Sequence, residues 1–547
     1  MKNKVKILIL SLFTLFIGSC ELDLLDNPNA VTDKNTDLNY LFNNIQLGVS
    51  GHFNNISDPG MRLTRMLNQF AAIYDNAVTP GSNNGTWNNA YAGILNDIKA
   101  LIPLAEKSEL FVHAGAARIL RAHTLVLMVD AFGDVPLSDA LNAENFNPKA
   151  DGGAAVYTAA LADLDQGIAN LAAKNKGGLT SDLFFGGDVD KWTRLANTLK
   201  LKILLNRRLI DKAGSTSAIN ALVTGNKLIS SSAQNFAFKY GSNLSNPDTR
   251  HPRYQGQYSA TGGGDYQSNS YMGTIYSAKG FPDPRMRFYF YRQVVLNSKD
   301  VNQIRCINNS KPAHYSANDF FCFPTTIGYW GRDHLSNEGI PPDGLTRTAW
   351  GVYPAGGLYD NDAGKGVSLG AGAGGAGIHP IMMQSFTDFM LAECALTLGT
   401  TGDAKALLKS GIEKSMADVR ALALGTSESS KVTAFETAGT YVWATEVTKY
   451  VTKVLADYDA ANDDGKLNII ATEYWIALHG NGIESYNLYR RTGKPANQQP
   501  GLDANAGGFV RSFYYPANYI AGNSNAKQKA NVTVPVFWDN NPATLTK

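Results

Sequence analysis

The sequence predicts a mainly α-helical fold of tetratricopeptide-like stacked helix pairs under an irregular, loop-rich capping region. Three observations carry this. Apolar residues recur at helical spacing over residues 37–222 and again over 381–489. Gly and Pro stop signals close the strongest helical stretches. Between 230 and 380 the pattern changes to Gly, Pro, Asn and aromatic residues, which suits loops supported by a scaffold and not a domain with its own large core. The expected organisation is therefore a leader over 1–19, a tether over 20–36, a first helical arm over 37–229, a loop-rich insert over 230–380, and a second arm with C-terminal loops over 381–547, the two arms folding as one domain.

The elements follow in chain order. Lys2, Lys4 and Lys6 precede an apolar run over residues 7–17, broken only by Ser11 and Thr14, and Gly18-Ser19-Cys20 follows. A run of about a dozen residues is too short to cross a hydrocarbon layer of ~30 Å, so it reads as a cleaved export signal. Ile17-Gly18-Ser19-Cys20 resembles a bacterial lipobox, which makes Cys20 the lipidated N-terminus and the lipid the membrane contact. Over residues 116–132, Ala117, Leu120, Leu127, Met128 and Ala131 share one face, Gly115, Ala116 and Ala122 allow a neighbouring helix close, and Gly133 and Pro136 end the helix. Over 188–209, Asp188 is the expected N-cap of a helix that buries Trp192, Leu195, Ala196, Leu199 and Ile203. A helix over 469–491 closes the second arm, with Arg490 and Arg491 at the negative end of its dipole and Gly493 and Pro495 as the stop.

Composition narrows the function. Lys plus Arg number 49 against 47 for Asp plus Glu, without the dense basic runs that neutralise phosphates, so nucleic acid is not an expected partner. Charged residues make up only 18% of the chain while Asn, Ser, Thr, Gly and Tyr fill its polar stretches, a surface suited to neutral hydrogen-bonding ligands. In an oxidising compartment Cys306 and Cys322 are placed to form a disulfide worth ~3 kcal/mol, whereas Cys394, on a helical pattern, reads as a small buried hydrophobe.

Catalytic motifs do not survive their context. Gly366-x-Ser368-x-Gly370 and Gly370-x-Gly372-x-x-Gly375 both lie in one glycine-rich loop with no preceding apolar strand, so neither a nucleophile elbow nor a dinucleotide turn is expected. The acidic turn of Asp457, Asp459, Asn462, Asp463 and Asp464 lacks the closing Glu of a calcium loop, and the histidines have no metal spacing. No metal or other cofactor is expected. The remaining signal is aromatic. Trp87 lies among asparagines, and Trp330, Trp350 and Tyr353 lie in the insert with Arg332 and Asp333. Exposed rings cover the apolar face of a sugar while such polar neighbours satisfy its hydroxyls, so these six residues form the expected ligand site.

Several stretches together resemble the SusD/RagB family of nutrient-binding outer-membrane lipoproteins. They are GAARILRAHTLVLMVDAFGDVPLSDAL over 115–141, VDKWTRLANTLKLKILLNRRL over 189–209, FPDPRMR over 281–287, the segment 474–495 with Glu484 and its YRRTG ending, and RSFYYP over 511–516 with Trp538-Asp539 after it. They span nearly the whole mature chain. The resemblance implies four tetratricopeptide-type helix pairs and a lid over a SusC-like TonB-dependent transporter as partner. It also implies a structural role for Arg118, Arg121, Asp134, Trp192, Asn197, Arg490 and Arg491, with no catalytic residue carried over. Glu21, Asp23 and Asp26 resemble the family's acidic surface-export signal, interrupted here by leucines. The resulting expectation is a non-enzymatic, lipid-anchored outer-membrane protein, facing the cell exterior, that binds oligosaccharide. Oligopeptide is the alternative cargo; a surface glycan hydrolase and a ligand-free scaffold are the readings outside that class.

Overall fold

The structure is a computed structural model and describes residues 37–303, 306–339, 342–439 and 441–541. The leader, Cys20 and the acidic residues after it lie outside these. The first arm begins with helix α1 (Leu38–Leu63), whose N-cap Asp37 accepts from Asn39 N, and which buries Phe42, Ile45, Val49, Phe53 and Ile56 along one stripe. A short helix α2 (Asn84–Asn88) runs through a π-helical turn into α3 (Asn96–Lys107). Then come α4 (Phe111–Phe132), α5 (Gly153–Ala172), α6 (Val189–Asn206) and α7 (Lys212–Gly225). Helix α4 is buried on nearly every side, which explains its all-round apolar composition, and it packs on α3 and α5. A β-carbon on Gly115 would lie 2.8 Å from the Gly167 carbonyl oxygen, so the α4–α5 crossing is as close as the small residues allow. Asp188 caps α6 through Lys191 N at 3.1 Å, and Trp192, Leu195, Ala196, Leu199 and Ile203 are buried.

The second arm comprises α11 (Gln384–Leu398), α12 (Ala404–Leu424), α13 (Ser429–Thr437), α14 (Trp443–Ala460), α15 (Asp463–Ala477) and α16 (Gly482–Thr492). Helix α11 packs on α12, and α14 on α15. The single helix expected over 469–491 is two. Gly480 at φ +95° breaks it, and Asn481 starts α16 by accepting from Glu484 N at 3.1 Å. This break turns α16 back onto α1, where Gly60 meets Gly482 with no room for a β-carbon on either. The end of α16 follows expectation, with Gly493 as a left-handed C-cap.

Buried ion pairs fasten one arm to the other. Lys202 of α6 sits between Glu484 of α16 and Asp130 of α4, all three essentially without solvent exposure. Asp130 also accepts from Asn487 Nδ2 at 2.7 Å and from Trp538 Nε1 at 3.1 Å. Arg491 and Arg208 share Glu393 of α11 at 2.9 and 3.1 Å, Arg285 bridges Asp283 and Glu473, and Arg511 pairs with Asp539. The recurring Arg, Asp and Trp motifs of the sequence are thus mutual partners across the chain. Charges so enclosed are tolerated only when paired.

The insert is closed where it begins and ends by an antiparallel ladder of β1 (Phe236–Lys239) on β4 (Ile378–Met382). Within it lie α8 (Pro252–Gln257), α9 (Asn269–Ser277), α10 (Met286–Tyr289) and a second ladder of β2 (Phe290–Tyr291) on β3 (Ala349–Trp350). Its rings, among them Tyr271, Phe288, Tyr289, Phe290, Trp350 and Tyr353, belong to the same apolar core as the helices. Cys306 and Cys322 are joined, their Cα atoms 5.6 Å apart, and Cys394 is a buried free thiol.

Candidate functional site

The six sequence-predicted ligand residues fall in three places. Trp350 and Tyr353 are 0% and 2% exposed, so the expectation that they present open ring faces is corrected. The cause is the β2–β3 ladder, which folds the 349–353 segment inward against Tyr289 and His479. Trp87 is also largely buried, its ring centroid 4.9 Å from Tyr91 and 4.5 Å from Tyr519, as a helix-face residue four positions before Tyr91 would be. Trp330, Arg332 and Asp333 come together around one small cavity beside the disulfide, and here too the expectation of an exposed ring is corrected, because Trp330 is buried. Trp330 is fixed there by donating Nε1–H to Asp343 at 3.2 Å. Burial pushes the Asp333 carboxyl up to about 7 although Gln499 and Asn269 both donate to it.

A larger cleft, of about 480 Å³, opens between α1, the 82–86 segment and the start of α8. Asn54 and Asn55 line it on the α1 side, Ser82, Gly85 and Thr86 opposite, and Asp58, Arg62 and Arg253 form its floor. The floor is a four-charge lattice. Arg62 bridges Asp58 at 3.0 Å and Asp265 at 3.2 Å, while Arg253 pairs with Asp58 and reaches Asp265 at 3.1 Å. Burial opposes ionisation of Asp58, but the two guanidinium groups outweigh it and hold the carboxyl well below the usual carboxylate range. Trp350 supports this floor from beneath. Its Nε1–H donates to Asp265 at 3.0 Å, and the Arg253 guanidinium lies 5.7 Å from its ring centre. Of the predicted residues, then, Trp350 serves the cleft as a positioning residue and Trp87 follows directly after its Thr86 wall.

Sequence reasoning missed Asn54, Asn55, Asp58, Arg62 and Arg253. Asp58 and Arg62 at i and i+4 on α1 were a visible pair, but Arg253 and Asp265 reach them only through folding of the insert. The acidic turn near 457–464 is neutralised by Lys453, Lys405 and Lys494, with Asn462 capping α15, and among the described residues no cluster of His, Cys, Asp and Glu is arranged to hold a metal. Among them, too, no helix is long and apolar enough to cross a membrane.

This architecture defines a helical, tetratricopeptide-like scaffold with a polar cleft beside an irregular cap. Residues 28–325 match a family described as starch-binding and associating with the outer membrane, and residues 379–540 match the SusD and RagB outer-membrane lipoprotein family. The chain belongs to this SusD-like family of outer-membrane, nutrient-binding proteins. No curated protein matches it. Among solved structures, it is similar to a SusD/RagB family protein from Bacteroides thetaiotaomicron at 20% identity, covering 93% of this chain and 100% of that one with a TM-score of 0.65. A chitin-binding protein superposes at 19% identity over 92% and 99% of the two chains, TM-score 0.65. A chitin-binding SusD homologue from Flavobacterium johnsoniae does so at 21% identity over 91% and 99%, TM-score 0.60. These likenesses establish the fold.

Proposed function

We infer that this protein captures oligosaccharide in the cleft between α1, the 82–86 segment and α8, without chemical turnover, and passes it to a SusC-like TonB-dependent transporter that it covers at the cell surface. The observation that carries the reading is the cleft itself. Its volume lies in the range of small-ligand sites, and its lining of asparagine amides, hydroxyls and an internally neutralised charge floor matches a ligand made of hydroxyl groups. Family membership and the chitin-binding names of two structural relatives support a carbohydrate cargo. The same membership and the leader of the sequence support anchoring through a lipid on Cys20, exterior orientation and the transporter partnership.

The charge floor is unsuited to acid–base catalysis of glycoside cleavage, because Asp58 and Asp265 are both engaged by arginines and neither is held protonated as a general acid must be. Oligopeptide capture in the same cleft is the competing cargo. The double variant Asn54→Ala, Asn55→Ala discriminates. Both amides sit on the solvent side of α1, so the variant should fold as the parent does while oligosaccharide affinity falls about tenfold or more, read by titration calorimetry. Undiminished affinity in the folded variant places the sugar elsewhere.

A further inference from the structure

In the cavity bounded by Trp330 and the disulfide loop, two buried polar atoms have no hydrogen-bond partner among the described residues. Asn297 and Arg332 are 7% and 9% exposed and both line it. Asn297 spends both amide hydrogens on the carbonyls of Pro324 at 3.3 Å and Tyr329 at 2.8 Å, which fixes the orientation of its amide and leaves Oδ1 an acceptor without a donor. Turning the amide over would set Oδ1 against two carbonyl oxygens. Arg332 is equally fixed. Its Nη2 donates to Tyr266 Oη at 3.3 Å and to the Gly339 carbonyl at 2.9 Å, its guanidinium stacks 4.1 Å from the Tyr266 ring centre, and Nη1 has no acceptor. Leaving each such group unbonded costs about 1–3 kcal/mol.

The same cavity is walled by Phe321, Phe323, Tyr329 and Trp330 and offers about 60 Å³, room for a substituent of a few heavy atoms and not for a sugar ring. A matching group needs a donor for Asn297, an acceptor for Arg332 and a small apolar part for the rings. An acetamido group has all three in four heavy atoms: N–H, C=O and methyl. A lone hydroxyl supplies the polar pair but leaves the aromatic walls unfilled. We propose, on the carbohydrate reading above, that this cavity beside the Cys306–Cys322 disulfide is a subsite for the N-acetyl group of an amino sugar, its ring resting outside the mouth near Asn309 and Glu338.

The test compares triacetylchitotriose with cellotriose, which share a β-1,4 backbone and differ in the acetamido group against a hydroxyl. The mature chain should bind the acetylated sugar at least about tenfold tighter, the gain of two hydrogen bonds and a packed methyl. Asn297→Ala should abolish the preference, but it also removes two bonds to loop carbonyls. Ile307→Phe is therefore the decisive variant, because it enlarges a side chain lining the cavity and leaves the hydrogen bonds of Asn297 and Arg332 in place. It should bring the two sugars within about twofold of each other while cellotriose affinity stays as in the parent. Equal affinity for both sugars in the parent chain overturns the acetamido subsite and leaves carbohydrate capture standing, as does a preference that persists in folded Ile307→Phe. Binding of neither sugar by the folded parent overturns the acetamido subsite, and carbohydrate capture then stands or falls on a wider panel of oligosaccharides.

Discussion

Replacing Lys202 by Met tests how the two arms are joined. The ammonium of Lys202 is 1% exposed and is the cation paired with both Glu484 and Asp130, whose carboxylates are 3% and 0% exposed. Burial lowers its affinity for the proton, yet the two carboxylates outweigh this and raise the lysine above its usual range, so the charged form belongs to the folded state. Methionine preserves the stem volume and removes the charge, leaving two acids facing each other in the core. Breaking a buried pair in this way costs ~3–5 kcal/mol. With an unfolding entropy of ~2.1 cal/mol/K per residue, that is a fall in Tm of ~3–4 °C for a cooperative chain of this length, with a matching fall in denaturant midpoint. Adding Glu484→Leu should recover at least half of the loss, because the second change removes one of the stranded charges. A single variant within 1 kcal/mol of the parent, or a double variant with purely additive losses, would refute the argument that this triad clamps α4, α6 and α16.

Two further outcomes rest on geometry and one on the sequence. Gly60→Ala places a methyl group into the Gly482 carbonyl and should cost about 1–3 kcal/mol in chemical denaturation, whereas Gly225→Ala, with open space around it, should be neutral or slightly stabilising. His52, His379 and His479 are buried neutral, with burial lowering them to about 4, 3 and 3, so the unfolded chain takes up protons below pH 6.5 that the folded chain refuses. Together the three remove about 6 kcal/mol between pH 7 and pH 5, of which Asp333, whose raised value favours folding as pH falls, returns about 2 kcal/mol, so denaturation midpoints should drop over that interval; a flat profile would show these rings to be hydrated. Cys20→Ala should move the protein from the membrane fraction to the soluble one, and retention after leader cleavage would exclude lipidation as the anchor.

What was legible in the sequence was local. The 3.6-residue period and the caps at Asp188, Gly133 and Gly493 placed α4, α6 and the end of α16 to within a few residues. The helix split at Gly480 was hidden because Trp475, Ile476 and Ile483 keep the apolar period going across the turn. Arg490, Arg491 and Glu484 could be named as structural, but their partners Glu393 and Lys202 are distant in the chain and follow no spacing rule. The site was the least legible part. Trp350 and Tyr353 look like exposed recognition rings in a loop-rich stretch, yet two residues of β-pairing turn them into the core. Asn54 and Asn55 sit on a helix where asparagine reads as ordinary solvent-facing polarity, and only the neighbouring insert turns that surface into a cleft.

The central claim is capture without turnover, and equilibrium titration of the mature chain against a panel of oligosaccharides and oligopeptides, with analysis of the recovered ligand, tests it most directly. The account predicts saturable binding of at least one oligosaccharide, no binding of the oligopeptides, and recovery of the sugar intact after prolonged incubation. Binding confined to peptides, or recovery of shortened sugar at a rate that follows protein concentration, would contradict it.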